Sequence, residues 1–182
     1  MVPAGDRPLC GKFFLILVFA VELIYGRFPM KTPITPAAPL LPHSGHMVLI
    51  DRVLSYDAQH ITTETDVTGD NIFATHGCLP AWACLEIMAQ AIGALAGALA
   101  VDAGEPVRLG YLLGTRRLTL HHGDLPLPAT LRVEARESTR DATGFGVFDC
   151  CLYHGEMRLA EAALNVYTPP DGHVPPPAVS RE

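Results

Sequence analysis

One stretch limits what this chain can become: LPAWACLEIMAQAIGALAGALAVDA, Leu79–Ala103, 25 residues apolar almost all the way round. A helix without a polar face has to be enclosed on every side. Its only charges are Glu86, near the start, and Asp102 at the end. Pro80 suits a first helical turn, where a missing N–H is not needed, and Gly104 sits where a left-handed stop is expected. Length alone would also allow a membrane span. Strand-like segments of alternating polarity flank the stretch on both sides, which favours a helix wrapped by a sheet over a span.

The segments around it read as strands and turns. Met47–Tyr56 is nearly continuous apolar up to Asp51 and Arg52, and His60–Val67 (HITTETDV) alternates and is β-branched. Asp57, Ala58 and Gln59 supply the turn between them. Beyond the helix come four strand-length runs, 107–121, 130–142, 144–155 and 157–168, with DLPLPA, DATG and HGE as turn-like separators. In TLRVEARE, Leu131, Val133 and Ala135 share one face and Arg132, Glu134 and Arg136 the other. MRLAEAALNVY has helical propensity, but as the last element after three strands it reads as a fourth. Two strands, one buried helix and four strands give an α+β chain with an antiparallel sheet. One sheet cannot surround a helix, so a dimer is expected.

The ends differ from this middle. Residues 1–29 place Lys12 before FFLILVFAV, the charge-then-apolar order of a signal peptide, yet no small-x-small cleavage site follows. The run is short for a span, and Met30 is an alternative start. Residues 30–42 are Pro-rich and expected to be extended, and 169–182 have the composition of a disordered tail.

With 182 residues the chain suits a single core, here assigned to residues 30–168, and a net charge of -6 without a basic patch argues against nucleic acid. Five cysteines have neither zinc spacing nor the arithmetic of a disulfide framework. Reduced thiols in a cytoplasmic protein are the expectation. No Gly-rich phosphate loop and no metal cluster is evident.

Four segments carry a resemblance. LPHSGHMVLIDRV (41–53), LPAWACLEIMAQ (79–90), GYLLGTRRLTLH (110–121) and, loosely, GDLPLPATLRVEA (123–135) are similar to motifs of the hotdog-fold 3-hydroxyacyl-(acyl-carrier-protein) dehydratases. The divergent branch associated with aryl-polyene-type pathways is more similar still. The first two segments are specific together; the others would be weak alone. The resemblance covers about residues 40–168. It implies a hotdog fold, an antiparallel sheet of six strands round one long helix, and dehydration of a 3-hydroxyacyl thioester to the 2-enoyl thioester. The substrate would arrive on acyl carrier protein, whose phosphopantetheine arm is the only prosthetic group implied. The partner subunit would be a second copy or another hotdog dehydratase.

The same resemblance implies site residues. Glu86 aligns with the family's helix carboxylate, the proton donor to the departing hydroxyl, and Gln90 falls one turn on, on the same face. The N–H of Ala81 stands where the family stabilises the thioester oxygen, and Trp82 either shapes the acyl pocket or packs at the helix start or a dimer contact. The base is less direct. Phe73-Ala74-Thr75-His76 keeps the family's Phe-to-His spacing, but His76 precedes Glu86 by ten residues, four fewer than in the family, and Thr75 replaces a Gly. His76 is therefore either the base or a loop histidine. His43 and His46, in LPHSGH, are the next candidates for the base, although the LPH histidine that His43 matches is near the site in the family and is not its base. Ala89, Gly93, Ala96, Gly97 and Ala100 fit either close packing or a slot for an acyl chain. Two alternatives stay open: a non-catalytic hotdog subunit that completes an active dehydratase, and an acyl thioesterase.

Overall fold

The computed structural model describes residues 30–169, so the expectations for 1–29 and for all but the first residue of the tail lie outside the described residues. Among the described residues are eight strands and one long helix: β1 (Arg52–Tyr56), β2 (His60–Val67), β3 (Cys78–Leu79), α1 (Cys84–Asp102), β4 (Tyr111–Leu120), β5 (Leu125–Pro126), β6 (Ala129–Arg140), β7 (Phe145–His154) and β8 (Met157–Tyr167). Six of them form one antiparallel sheet in the order β1-β2-β6-β7-β8-β4, and β3 pairs with β5. A six-stranded antiparallel sheet packed on a single long helix is the hotdog arrangement.

Alternation sets the inner face. Ile61, Thr63, Thr65 and Val67 of β2 are buried opposite Ala135, Val133, Leu131 and Ala129 of β6. Arg132, Glu134 and Arg136 point away from the core, as the sequence pattern predicts. In β7 Cys150 faces the core while its neighbour Cys151 is half-exposed. MRLAEAALNVY is a strand because ladders to β7 and β4 satisfy both its edges and Ala160, Ala162, Leu164 and Val166 reach the core. Packing overrides helical propensity there. The β1–β2 turn is held by Asp57, whose Oδ1 accepts the N–H groups of Gln59 and His60 at 2.8 Å each.

The helix begins later than the apolar run suggests. Cys78 and Leu79 are a strand, Pro80 has extended backbone, and Ala81–Ala83 form a 3-10 turn that feeds α1 at Cys84. Pro80 caps this turn instead of opening the α-helix. The other end is as expected: Gly104 at φ 73° donates to the Val101 carbonyl while Glu105 N–H reaches Ala100 O at 2.7 Å, a Schellman stop. Strand β1 is also shorter than its apolar run, because Gly45–Met47 form a 3-10 turn. Likewise 30–42 is not extended throughout: Ala38–Leu40 make a 3-10 turn laid on α1.

That contact explains one glycine. A Cβ on Gly97 would lie 1.9 Å from the Leu40 carbonyl oxygen, so only glycine lets the two backbones meet. Although Ala81–Asp102 is apolar and long enough to cross a membrane, Ile87, Met88, Ala91, Ala94, Leu95 and Ala98 are buried against the sheet. Enclosure is incomplete, however. Glu86, Ala89, Gly93, Ala96 and Ala100 form a half-exposed stripe along the side that the sheet does not cover.

Candidate active site

The segment 38–49 meets the first two turns of α1, far from it in sequence. The Ala38–Leu40 turn, anchored by buried Leu40 and Leu41, delivers Pro42 and His43 to the helix. His43 Nε2 stands 3.9 Å from Glu86 Oε1, each side chain about a third exposed in the single chain. The Nδ1 atom of His43 is shielded from solvent and has no hydrogen-bond partner among the described residues. Thr63 Oγ1 and Asn165 Oδ1 are likewise shielded and without a partner among the described residues.

Gln90 fixes the carboxylate. It is 1% exposed, and its Nε2 donates to Met47 O and to Glu86 Oε1, both at 2.8 Å, while its Oε1 accepts the Leu49 N–H at 2.8 Å. The amide therefore ties the 47–49 segment to α1 and holds Glu86 in one orientation. Gln90 thus orients Glu86 and satisfies buried backbone at once. Among the described residues no arginine bonds Glu86. Its Oε2 accepts no bond among the described residues and is open to a ligand.

A cleft of about 140 Å³ runs from this pair along the open stripe of the helix. His43, Glu86 and Gln90 form one end, Ala89, Gly93 and Ala96 the helix side, and Tyr111, Leu112 and Val166 the sheet side. Arg108 and Arg140 stand at the far end, bonded to Glu105 and Glu137. The small helix residues divide by role: Gly97 packs beneath Leu40, and Ala89, Gly93 and Ala96 leave the cleft its width. Among the described residues no three His, Cys, Asp or Glu side chains converge as a metal site.

The remaining sequence candidates lie elsewhere. His76 is exposed at the tip of a two-residue turn, with φ of 53° and Gly77 at 73°, closed by Thr75 and Cys78 bonding to each other. Within one chain it neither lines the cleft nor touches Glu86. The shortened loop spends its residues on this turn, and the histidine brought to Glu86 is His43. Ala81 also lies off the cleft, its N–H donated to Asp124 Oδ1 at 3.0 Å. Trp82 is 58% exposed and packs edge-on against Phe73, ring centroids 5.2 Å apart. His46 has no hydrogen bond to Glu86 or Gln90. Sequence reasoning missed Tyr111, Leu112, Arg108 and Arg140 as lining residues and Asp124 as the ligand of the Ala81 N–H; nothing local in the sequence marks any of them.

Comparison with known proteins gives the same direction. The family model described as ApeP-like, ApeP dehydratase, matches residues 35–174. Among solved structures, the dehydratase heterocomplex ApeI:P from Xenorhabdus doucetiae aligns with a TM-score of 0.70 and 29% identity, over 75% of this chain and 92% of that one. Cj0977, a sigma28-regulated virulence protein from Campylobacter jejuni, aligns at 0.55 with 14% identity, over 74% of this chain and 87% of that one. At such identity the likeness is one of fold. No curated protein sequence matches the chain.

Proposed function

Because the chain belongs to the ApeP-like dehydratase family, we propose that it dehydrates a 3-hydroxyacyl thioester carried on acyl carrier protein. We place the chemistry at the His43–Glu86 pair. The observation that carries this reading is the pair itself: an imidazole and a carboxylate 3.9 Å apart at one end of a mostly apolar cleft. Two such groups can flank the C2–C3 bond of one substrate.

In the proposed reaction the neutral imidazole of His43 takes a proton from C2. Glu86, in its acid form, gives a proton to the C3 hydroxyl. The C3–O bond breaks, water leaves, and the electron pair from the C2–H bond becomes the C2=C3 double bond. The proton on His43 then returns to the Glu86 carboxylate, which resets both groups. Gln90 keeps Glu86 Oε1 pinned, leaving Oε2 for the hydroxyl. Each proton transfer can contribute about 10²–10⁴ in rate.

The thioester oxygen also needs donors as it gains charge, and here the single chain is short. The Ala81 N–H is held by Asp124 and lies off the cleft. This favours a site completed by a second hotdog subunit, and the Xenorhabdus doucetiae relative is a heterocomplex. In the limit, this chain is the partner that completes an active dehydratase without turning over alone.

One assay separates the readings. A 3-hydroxyacyl thioester is given to the chain alone and to the chain mixed with a second hotdog dehydratase subunit, and enoyl thioester and free acid are both followed. Enoyl product in either sample, lost with Glu86→Gln, supports dehydration. Free acid without enoyl product would replace it with thioester hydrolysis, and neither product in either sample would refute it.

A further inference from the structure

The last residue of α1 carries a charge where a helix can least use one. Carbonyl groups left unbonded at a helix C-terminus make that end negative, and an anion there is disfavoured. Asp102 is such an anion, half-buried at the end of Cys84–Asp102. A carboxylate so placed needs a cation. Among the described residues no lysine, arginine or histidine pairs with it. Lys31 is exposed and forms no ion pair there either.

What Asp102 holds instead is the main-chain nitrogen of Met30. That nitrogen donates to Asp102 Oδ1 at 2.9 Å and stands 2.8 Å from the Tyr56 hydroxyl oxygen. The Tyr56 hydroxyl gives its own hydrogen to Asp102 Oδ2 at 2.6 Å, so towards Met30 it can only accept. Two acceptors, one of them charged, therefore converge on one nitrogen. A peptide nitrogen has a single hydrogen, fixed in the plane of its bond, and serves both only by dividing it. An α-ammonium has three, spread tetrahedrally, and is the main form of an α-amine at pH 7. It would give each acceptor a hydrogen of its own and supply the charge that Asp102 lacks. The Met30 side chain meanwhile packs on the core, which fixes the nitrogen beside Asp102.

We infer that the working chain begins at Met30, and that Asp102 and Tyr56 are the receptor for its α-ammonium. From there the arm that carries His43 is fastened step by step. Ile34 exchanges main-chain bonds with Val53 at 2.9 and 3.0 Å, and the Ala37 N–H donates to Asp51 O at 2.8 Å. Leu40 then lies on Gly97, and His43 reaches Glu86. One helix thus holds the arm at both ends, Asp102 at its start and Glu86 beside its histidine. The clamp does not depend on the reaction proposed above.

Intact-mass spectrometry of the protein made from its complete gene, with the natural upstream region, identifies the first residue. The expected mass begins at Met30, and a protein beginning anywhere else would overturn the inference. The receptor is tested on the same product by urea unfolding, with Asp102→Asn and a single alanine added ahead of Met30 made separately and together. The alanine turns the Met30 nitrogen into an amide and carries the charge one residue away. Hydrogen bonds between charged groups are about twice as strong as neutral ones. Each change alone should therefore lower the folding equilibrium constant at least about fivefold, and the two together little more than either. The alanine variant keeps every native side chain, so it reports even where Asp102→Asn does not fold. An added alanine that costs nothing, or two losses that simply multiply, would overturn the receptor.

Discussion

Gly97 and Gly93 lie one turn apart on the same helix, and alanine should have opposite effects at the two. At Gly97 the added methyl would sit 1.9 Å from Leu40 O, 2.8 Å from Leu40 C and 3.0 Å from Leu40 Cα. Ordinary contact needs about 3.5 Å or more, so the turn must retreat by about 1.5 Å. It cannot do so by rotating a side chain, because the obstruction is backbone. Retreat would loosen Ala37, Leu40 and Leu41, all buried. Overpacking of this kind costs about 1–3 kcal/mol, and alanine's helical preference returns about 1 kcal/mol. With a rigid obstacle the upper end applies, leaving Gly97→Ala about 2 kcal/mol less stable. For a domain of this size that is about 4–8 °C in Tm. At Gly93 the nearest atom is the terminal Leu41 Cδ2, at 3.4 Å. Propensity then prevails, and Gly93→Ala should gain about 0.5–1 kcal/mol. Urea and thermal denaturation of both variants measure the contrast. A Gly97→Ala protein as stable as the wild type, or equal changes at both sites, would refute the reasoning.

Gln90→Leu strands the Leu49 N–H and the Met47 carbonyl, so urea unfolding should show a loss of about 2–4 kcal/mol. Burial, together with the bond to Asp102, pushes the Tyr56 phenol up to about 12. Unfolded tyrosine ionises near 10, so the stability from this contact is complete below about pH 10 and is lost as pH rises toward 12. The urea midpoint of the wild type should accordingly fall relative to Tyr56→Phe over that window. Burial pushes the Cys84 thiol up to about 11 and raises that of Cys150 as well. A thiol reagent followed by peptide mass spectrometry should label Cys78 and Cys151 in the folded protein, and Cys84 and Cys150 only after unfolding.

The helix and the sheet were legible because burial imposes a period on the residues that meet it. Leu131, Val133 and Ala135 face inward as their alternation says, and Gly104 stops the helix as its missing side chain allows. The start of the helix was not legible. Leu79–Ala83 is apolar enough to pass for helix, and only its pairing with Leu125 and Pro126 makes Cys78–Leu79 a strand. Glu86 and Gln90 could be read from the helix itself, being one turn apart on one face. The histidine beside them could not be read by counting back along the chain. His43 comes from a distant segment and owes its place to the contact of Leu40 with Gly97. The LPH motif put His43 near the site, but the contact that sets it beside Glu86 is a property of two backbones.

The central claim is that His43 and Glu86 do the chemistry within one chain. Its most direct test is the rate of enoyl thioester formation, in whichever assembly is active, for His43→Ala, His76→Ala and Glu86→Gln. The expected result is a loss of at least about 100-fold for His43→Ala and Glu86→Gln, with His76→Ala close to the wild type. A His76→Ala enzyme that is dead beside an active His43→Ala enzyme would contradict it.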